Sequence, residues 1–242
     1  MAVAMSGMCT LNNTDYILLP ETPSMHAKKR VAEFIQQEIT RPSKQWICNI
    51  LNGSQESDEI IMRTEDFVLL PDTERVNRYW RIQSSKAAHA HTSASHSQAH
   101  GRHHVSPRRM LNWLCILYDR GIHTMRDLRG KHVPMLKGML ASCMKKIEQN
   151  TGIPPDQVMA YVHYPPSVYQ LHIHFAYPYG QHCHRDTYRV HSLAGIINNL
   201  EIDPEYYAKA TLQLALYRQS LHYAALVSPD SDEEVAKEGP RA

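Results

Sequence analysis

Residues 169–178, "YQLHIHFAYP", alternate between apolar and polar types in a way that brings two histidines together. Successive side chains of a β-strand point to opposite faces, so His172 and His174 would share one face while the apolar row faces a core. Imidazole changes protonation near neutral pH, which suits it to proton transfer, metal binding and nucleophilic attack. This strand is therefore a candidate site of chemistry.

A third histidine and a serine join this pair if the chain folds back on itself. "VMAYVHYPPS" indicates a preceding strand that ends in a Pro-Pro-Ser loop. Pairing of the two strands would bring His163 close to His172 and His174, with the hydroxyl of Ser167 beside them. We expect these four side chains to converge on one pocket.

Three interpretations of the histidines stay open on residue types alone. In the first, they are hydrogen-bonded or solvated residues on an exposed sheet face. In the second, they form a zinc site, for which "QHCH" (181–184) is a weak source of further ligands. In the third, a neutral imidazole attacks phosphorus to form a covalent phosphohistidine, while neighbouring histidines contact the phosphate oxygens and protonate the leaving group.

The composition indicates a globular chain without a strong overall charge. The 242 residues are 43% hydrophobic and carry a net charge of +2, enough for one or two compact units but too balanced for a broad nucleic-acid-binding surface. The five cysteines are scattered and include no Cys-x-x-Cys pair, which favours a reducing compartment. No run approaches the ~18 apolar residues that cross a bilayer, and the first residues lack a basic leader. We expect no membrane association and a cytoplasmic or nuclear location.

Helices alternating with hairpins predict an α+β fold with an antiparallel sheet and flanking helices. "YILLP" (16–20) indicates a strand, and Thr22 and Pro23 then begin a helix. Residues 45–53 indicate a short helix or turn. "EIIMR" and "DFVLLP" indicate a hairpin that ends at Pro71-Asp72.

The second half of the chain is predicted to be largely helical outside the histidine hairpin. "RRMLNWLCILYDRGI" predicts a helix that Gly121 stops. "KHVPMLKGMLASCMKKIEQNTG" predicts another helix, which Gly152 ends. A final helical region is predicted from about Arg189 to Tyr223.

The stretch "HYPPSVYQLHIHF" resembles the signature of the histidine triad (HIT) superfamily, and in particular that of the scavenger mRNA decapping enzymes. Their pattern is a histidine, a Pro-Ser loop and then "HLHVHF". "RGIHTMRDLRGKHVPML" and "NNLEIDPEYYAKATLQLAL" are similar to the family's C-terminal domain, and "QWICNILNGSQESDEIIMRTEDFVLLPD" to its cap-pocket segment. The resemblance implies a HIT-like antiparallel sheet with flanking helices.

The resemblance also implies a reaction and its residues. His172 matches the nucleophile and His174 the last histidine of the triad, while His163, Ser167 and Arg189 match residues that contact the phosphates. The implied activity is hydrolysis of m7GpppN and short capped RNA fragments to m7GMP and a nucleoside diphosphate through a covalent histidine intermediate. It needs no cofactor and no metal.

Other matches concern the cap. Trp46 matches the tryptophan that stacks on 7-methylguanine, and Glu56 the carboxylate that accepts hydrogen bonds from the base edge. The methylated base is cationic, so an indole face and a carboxylate favour it over guanine. Asp72 matches the aspartate of the family's cap-pocket "PD". Lys29 matches a lysine on the preceding helix and is assigned to phosphate binding.

The chain departs from the family pattern at several places. Gln170 stands at the first triad position, and Glu59 and Glu74 stand where the family has basic residues near the phosphates. Carboxylates there would repel a polyphosphate. Thr73 replaces the apolar residue that sandwiches the base, and most of the family's N-terminal dimerisation domain has no counterpart.

These departures leave two further functions open, namely a weakened or inactive cap-binding paralogue and a HIT hydrolase of other nucleotides. The expected partners are a capped dinucleotide or short capped RNA and a second copy in a homodimer.

The chain is predicted to divide into five segments. They are a disordered N-terminus (1–13), a cap-pocket segment with the first part of the HIT-like domain (14–83), a disordered His/Ser/Ala-rich insertion (84–108), the C-terminal HIT catalytic domain (109–226) and a disordered acidic tail (227–242).

Overall fold

A computed structural model of the chain describes residues 16–54, 59–72, 111–178 and 188–229. The chain divides into two compact units, one from Ile39 to Ala208 and a smaller one that joins the segment up to Glu38 to the segment from Lys209. The predicted insertion (84–108), the segment 1–13 and "QHCH" (181–184) lie outside the described residues. The predicted domain boundaries stay predictions.

The described residues form eight strands and seven α-helices. The strands are β1 (Tyr16–Glu21), β2 (Met62–Arg63), β3 (Phe67–Pro71), β4 (Asn112–Leu117), β5 (Met159–His163), β6 (His172–Ala176), β7 (Val190–Ser192) and β8 (Leu212–Tyr217). The helices are α1 (Pro23–His26), α2 (Lys29–Thr40), α3 (Trp46–Leu51), α4 (Val133–Thr151), α5 (Leu193–Ile202), α6 (Tyr206–Lys209) and α7 (Leu221–Val227). None of these helices is long and apolar enough to cross a membrane.

The larger unit contains a six-stranded antiparallel sheet in the order β2-β3-β4-β6-β5-β7. With its helices, this sheet is consistent with the predicted α+β, HIT-like fold. The hairpins predicted from "EIIMR"/"DFVLLP" and around the Pro-Pro-Ser loop are both confirmed as antiparallel pairs. Helix α4 is confirmed as well, and Gly152 ends it in the left-handed conformation at φ 68°.

Strand β4 corrects the helix predicted for "RRMLNWLCILYDRGI". Residues Asn112–Leu117 are all buried and pair with β3 on one side and β6 on the other. A strand buried on both faces has a continuous apolar run, and periodicity alone does not separate such a run from a buried helix. The single helical region predicted from about Arg189 to Tyr223 is also wrong, because β7 and β8 lie within it.

The pairing divides the side chains of this sheet between two faces. Tyr161 lies opposite His174, and His174 opposite Leu114, so these residues point to the same side. We call this side the histidine face; it carries Tyr161, His163, His172 and His174. On the other side, the thiol of Cys115 contacts the thiol of Cys143 in α4, and burial raises the pKa of Cys115 well above its ordinary value. Helix α4 therefore covers the face opposite to the histidines.

Helix α3 packs on the histidine face. Its residues Ile47 and Ile50 form one core cluster with Val68 of β3 and with Leu114 and Ile116 of β4. These three strand residues share the histidine face because Val68 and Ile116 are directly opposed and alternate residues of β4 point to one side. The sheet thus carries the imidazoles and the helix that begins at Trp46 on the same side.

The smaller unit is built on β1 and β8, which pair antiparallel in a two-stranded sheet. The predicted strand "YILLP" and the helix start at Pro23 are confirmed, and the side chain of Thr22 accepts a hydrogen bond from the backbone N–H of Met25. Glu21 is buried and pairs with His26, and His222 stacks on Phe34 with ring centroids 4.8 Å apart. Burial lowers the pKa of His222 to about 4.

Candidate active site

The buried ring of His172 has a defined tautomer. Its Nδ1 atom lies 2.7 Å from the backbone carbonyl oxygen of Gln170. A carbonyl oxygen only accepts hydrogen bonds, so Nδ1 carries the proton and Nε2 holds the lone pair of the neutral ring. Burial lowers the pKa of His172 from its ordinary value of 6.5, against the smaller raising effects of the Gln170 hydrogen bond and the charge of Asp72. At neutral pH this imidazole is therefore unprotonated, with its lone pair on Nε2.

The other two histidines lie beside it. The ring centroid of His174 is 5.2 Å from that of His172 and 4.7 Å from that of His163. The planes are inclined by 71° and 58°, so the rings do not stack on one another. The structure brings together the three histidines that the sequence placed in one pocket.

Tyr161 holds two of these rings and was not singled out from the sequence. Its own ring stacks on His174 at a centroid distance of 5.2 Å and an angle of 15°, and meets His163 edge to face at 5.3 Å. Tyr161 is 2% exposed. The sequence did contain a signal for this residue. Tyr161 lies two positions before His163 in the same strand, so the two side chains must point to the same face.

Asp72 lies next to the imidazoles. Its Oδ2 atom accepts a hydrogen bond of 2.9 Å from the side-chain amide of Asn112 and lies 3.9 Å from Nδ1 of His174. The backbone N–H of Asp72 also donates to the carbonyl of Asn112 at 2.9 Å. Two hydrogen bonds to Asn112 of β4 thus fix Asp72, which the resemblance assigned to cap binding. The charge of Asp72 raises the pKa of His172.

Arg189 supplies a positive charge near His172. Its Nε and Nη2 atoms donate to the carbonyl of Pro165 at 3.2 and 2.8 Å, and its own carbonyl accepts from the N–H of Tyr164 at 2.8 Å. Its charge lowers the pKa of His172. Ser167 is exposed in the same loop that Arg189 contacts.

Gln170, at the position of the first triad histidine, is committed to the backbone. It is 3% exposed, and its Nε2 atom donates to the carbonyls of Leu117 at 2.7 Å and Asp119 at 2.9 Å. Both amide hydrogens are used in fastening the segment before β6 to the end of β4. The residue acts on His172 through its main-chain carbonyl, not through its side chain.

The remaining candidate residues are placed as follows. Trp46 is the first residue of α3 and is 37% exposed. Glu59 is half-buried and precedes β2. Lys29 is exposed at the start of α2, in the smaller unit. Glu56, Thr73 and Glu74 lie outside the described residues.

Within residues 16–54, 59–72, 111–178 and 188–229, no three His, Cys, Asp or Glu side chains are grouped so as to hold a metal ion. The three imidazoles and Asp72 lie close to one another, with His174 next to His172, His163 and the carboxylate. A neutral nucleophile beside two further imidazoles and a guanidinium suits attack on an anionic phosphorus centre, where charge develops on the oxygens.

Comparisons with known proteins show what this chain is similar to. Residues 102–186, which include β4, β5 and β6, match the family described as "Scavenger mRNA decapping enzyme C-term binding". The m7GpppX diphosphatase of Bos taurus is 31% identical over 206 residues, which are 84% of this chain and 52% of that protein. The Homo sapiens protein of the same name is 32% identical over 178 residues (72% and 44%), and the Caenorhabditis elegans one 28% over 206 residues (81% and 54%). The chain spans about half the length of the curated relatives it matches.

Proposed function

The chain belongs to the scavenger mRNA decapping enzyme family, and from this premise we propose that it hydrolyses the 5′-5′ triphosphate bridge of m7GpppN and of short capped RNA fragments. The products are m7GMP and a nucleoside diphosphate. We further propose that it works as a homodimer in the cytoplasm or nucleus.

The observation that carries this proposal is the tautomer of His172. Its Nδ1–H is held by the carbonyl of Gln170, and burial keeps the ring neutral, so Nε2 offers a lone pair at physiological pH. This lone pair supports the proposal because the ring lies beside His174 and near the charge of Arg189, as attack on a phosphate would need.

The proposed reaction has two steps. Nε2 of His172 bonds to the phosphorus attached to methylguanosine, and the bond from that phosphorus to the bridging oxygen breaks, so that its electron pair leaves with the nucleoside diphosphate. Water then attacks the same phosphorus, loses a proton and displaces the imidazole, which releases m7GMP. His163, His174, Ser167 and Arg189 stabilise the charge on the non-bridging oxygens in both steps.

Cap recognition is assigned to Trp46, Glu56 and Asp72. Trp46 supports this assignment because it is a large aromatic side chain left partly exposed at the start of a helix on the histidine face. Its indole would stack on the cationic 7-methylguanine, whose charge also favours a nearby carboxylate. Lys29 is proposed to bind phosphate.

A second candidate is a protein that binds capped or other nucleotides without cleaving them. It is favoured by Gln170, whose side chain is used in backbone hydrogen bonds where the family pattern has a histidine. The acidic residues Glu59 and Glu74 point in the same direction because they would repel a polyphosphate.

Release of m7GMP from m7GpppG separates the two. The wild-type protein is expected to release it, and His172→Asn, whose side-chain amide can still donate to the Gln170 carbonyl, is expected not to. Binding of m7GTP that Trp46→Ala abolishes, without any cleavage, would select the binding protein. Equal cleavage of GpppG and m7GpppG would instead identify a hydrolase that does not read the methyl group.

A further inference from the structure

A small concavity of about 60 Å³ lies in the larger unit beside the histidine site. The start of α3, the segment that follows β4 and the residues before β6 form its walls. Three of its nine lining residues are basic, Lys44, Arg120 and His123, and none is acidic. This lining favours an anion.

The three basic residues belong to separate segments. Lys44 ends the 3-10 turn Pro42–Lys44, Arg120 follows β4, and His123 precedes the turn that begins at Met125. The guanidinium of Arg120 lies at the wall, since its Nη1 donates to Sγ of Cys48, another lining residue, at 3.3 Å. Nδ1 of His123 lies 3.3 Å from the carbonyl of Tyr169 in the opposite wall.

The nearest carboxylates in sequence, those of Asp119 and Asp127, do not line the concavity. Oδ1 of Asp119 accepts from the N–H of Gly121 at 2.8 Å, and Oδ2 of Asp127 accepts from the N–H groups of His123 and Thr124 at 2.9 and 2.8 Å. Both are engaged with backbone and neither lines the concavity. In the described part of the chain, no carboxylate forms a salt bridge with Lys44 or Arg120.

The concavity continues the proposed substrate site along two elements. Its lining residues Ile47 and Cys48 directly follow Trp46 in α3, and Gln170 precedes His172 by two residues in one strand segment. A nucleotide chain that passes the cap residue and the nucleophile would have this cavity within reach. Its apolar wall of Ile39, Ile47 and Val168 suits a sugar or base, and its basic residues suit a phosphate.

We propose that this concavity is a phosphate-binding subsite formed by Lys44 and Arg120, and that it holds the phosphodiester after the first transcribed nucleotide of a capped fragment. The RNA part of this assignment rests on the proposed function. The shared chemistry is a phosphate group, which a free phosphate product also carries.

The first test compares m7GpppG with m7GpppGpG, which adds one phosphodiester, on the His172→Asn variant so that the ligands stay intact. The longer ligand is expected to bind about fivefold more tightly, since charged hydrogen bonds at a partly exposed site contribute modestly. Lys44→Ala and Arg120→Ala should each remove that gain in affinity. Each should also make the slope of log binding constant against log salt concentration less steep by about 0.7. Lys145→Ala removes an exposed charge from α4, on the helix that covers the opposite face, and should leave the gain intact.

The second test does not depend on cap binding. Cys48 lines the concavity and is half-buried, whereas Cys115 and Cys143 are buried, so N-ethylmaleimide should modify Cys48 first among these three. Pyrophosphate is expected to slow this modification in the wild-type protein, as followed by peptide mass spectrometry. The protection should be lost in Arg120→Ala and restored in Arg120→Lys.

The outcomes separate the possible sources of the phosphate. Protection by pyrophosphate with equal affinity for both capped ligands assigns the subsite to free phosphate and overturns the RNA assignment. No protection together with equal affinities overturns the subsite. Protection without cleavage of m7GpppG by the wild-type protein leaves the subsite standing and counts against the proposed enzyme alone.

Discussion

The ring of Tyr161 lies flat against the ring of His174, with centroids 5.2 Å apart and planes inclined by 15°. The two residues are direct partners across β5 and β6, so the pairing of the strands itself brings the rings together. Tyr161 also meets His163 edge to face. One buried aromatic ring therefore contacts and orients both His163 and His174.

Replacement of this ring should reduce catalysis more than substrate binding. We expect Tyr161→Leu to lower kcat about fivefold with little change in KM, because loss of an aromatic pair worth about 1 kcal/mol frees the imidazoles to turn. Tyr161→Phe keeps the stack and is the matched control. Steady-state kinetics on m7GpppG, with circular dichroism to verify folding, makes the measurement; equal losses in both variants would assign the effect to the hydroxyl group instead.

Gln170 should be more important for stability than its place in the motif suggests. Gln170→Glu removes both donors from the carbonyls of Leu117 and Asp119 and buries a charge, at an expected cost of about 2 to 4 kcal/mol in the free energy of unfolding. Gln170→His restores the triad residue, but a neutral imidazole has one N–H and satisfies at most one carbonyl.

Urea unfolding measures both variants. Gln213→Glu in β8 makes the same chemical change at an exposed position and should alter stability little. A Gln170→Glu protein as stable as the Gln213→Glu protein would contradict the anchoring role of this amide.

The pH dependence of catalysis should follow His172. Its neutral form is the nucleophile, so kcat/KM falls when the ring is protonated, and burial places that fall below the ordinary value of 6.5. Asp72 raises the pKa of His172, and Asp72→Asn is therefore expected to move the acid limb to lower pH. Asp66→Asn is the control, because it removes one negative charge from an exposed residue between β2 and β3 and should leave the acid limb unchanged.

The same variant tests the second role assigned to Asp72. If the carboxylate also contacts the cap, Asp72→Asn should raise KM for m7GpppG more than for GpppG, because only the methylated base is cationic. A shift of the acid limb without this difference in KM would place Asp72 with the imidazoles alone.

His222 should make the smaller unit sensitive to acid. Its pKa is about 4 in the folded chain and 6.5 when unfolded, so between those values the unfolded chain binds the extra proton and stability falls as pH falls. The full loss is about 3 kcal/mol, reached below the folded value and absent above pH 6.5.

Urea unfolding at pH 7.5 and pH 4.5 checks this. His222→Phe cannot be protonated and keeps a ring against Phe34, and it should lose about 2 to 3 kcal/mol less than the wild type over that interval. An unchanged pH dependence in this variant would remove His222 as the cause.

The sequence predicted the histidine hairpin because alternation is unambiguous where one face is buried and the other polar. It failed at β4, where Asn112–Leu117 is buried on both faces and shows no alternation. In β8 the alternation is brief, and Gln213 is its one exposed interior position between apolar neighbours. Alternation of apolar and polar residues reveals a strand only when its two faces differ in polarity. A strand that is apolar on both faces shows no alternation.

Of the candidate site, the three imidazoles were placed from sequence, but their supports were not. The link from Asn112 to Asp72 and the links from Gln170 to Leu117 and Asp119 join residues at least 40 positions apart. These partners are brought together by the strand order, in which β4 lies between β3 and β6. Without the position of β4, no sequence pattern indicates which carbonyls Gln170 would reach.

Strand β6 pairs with β4 on one side and β5 on the other. Its histidines alternate with Ile173 and Phe175, which are fully buried on the opposite face. A slip of one residue would exchange the two sets and drive the imidazoles under α4. We therefore expect the arrangement of His172 and His174 to form only when β6 is paired with both β4 and β5. Slow amide exchange along β6 and retention of catalytic competence should therefore be lost together as the larger unit opens.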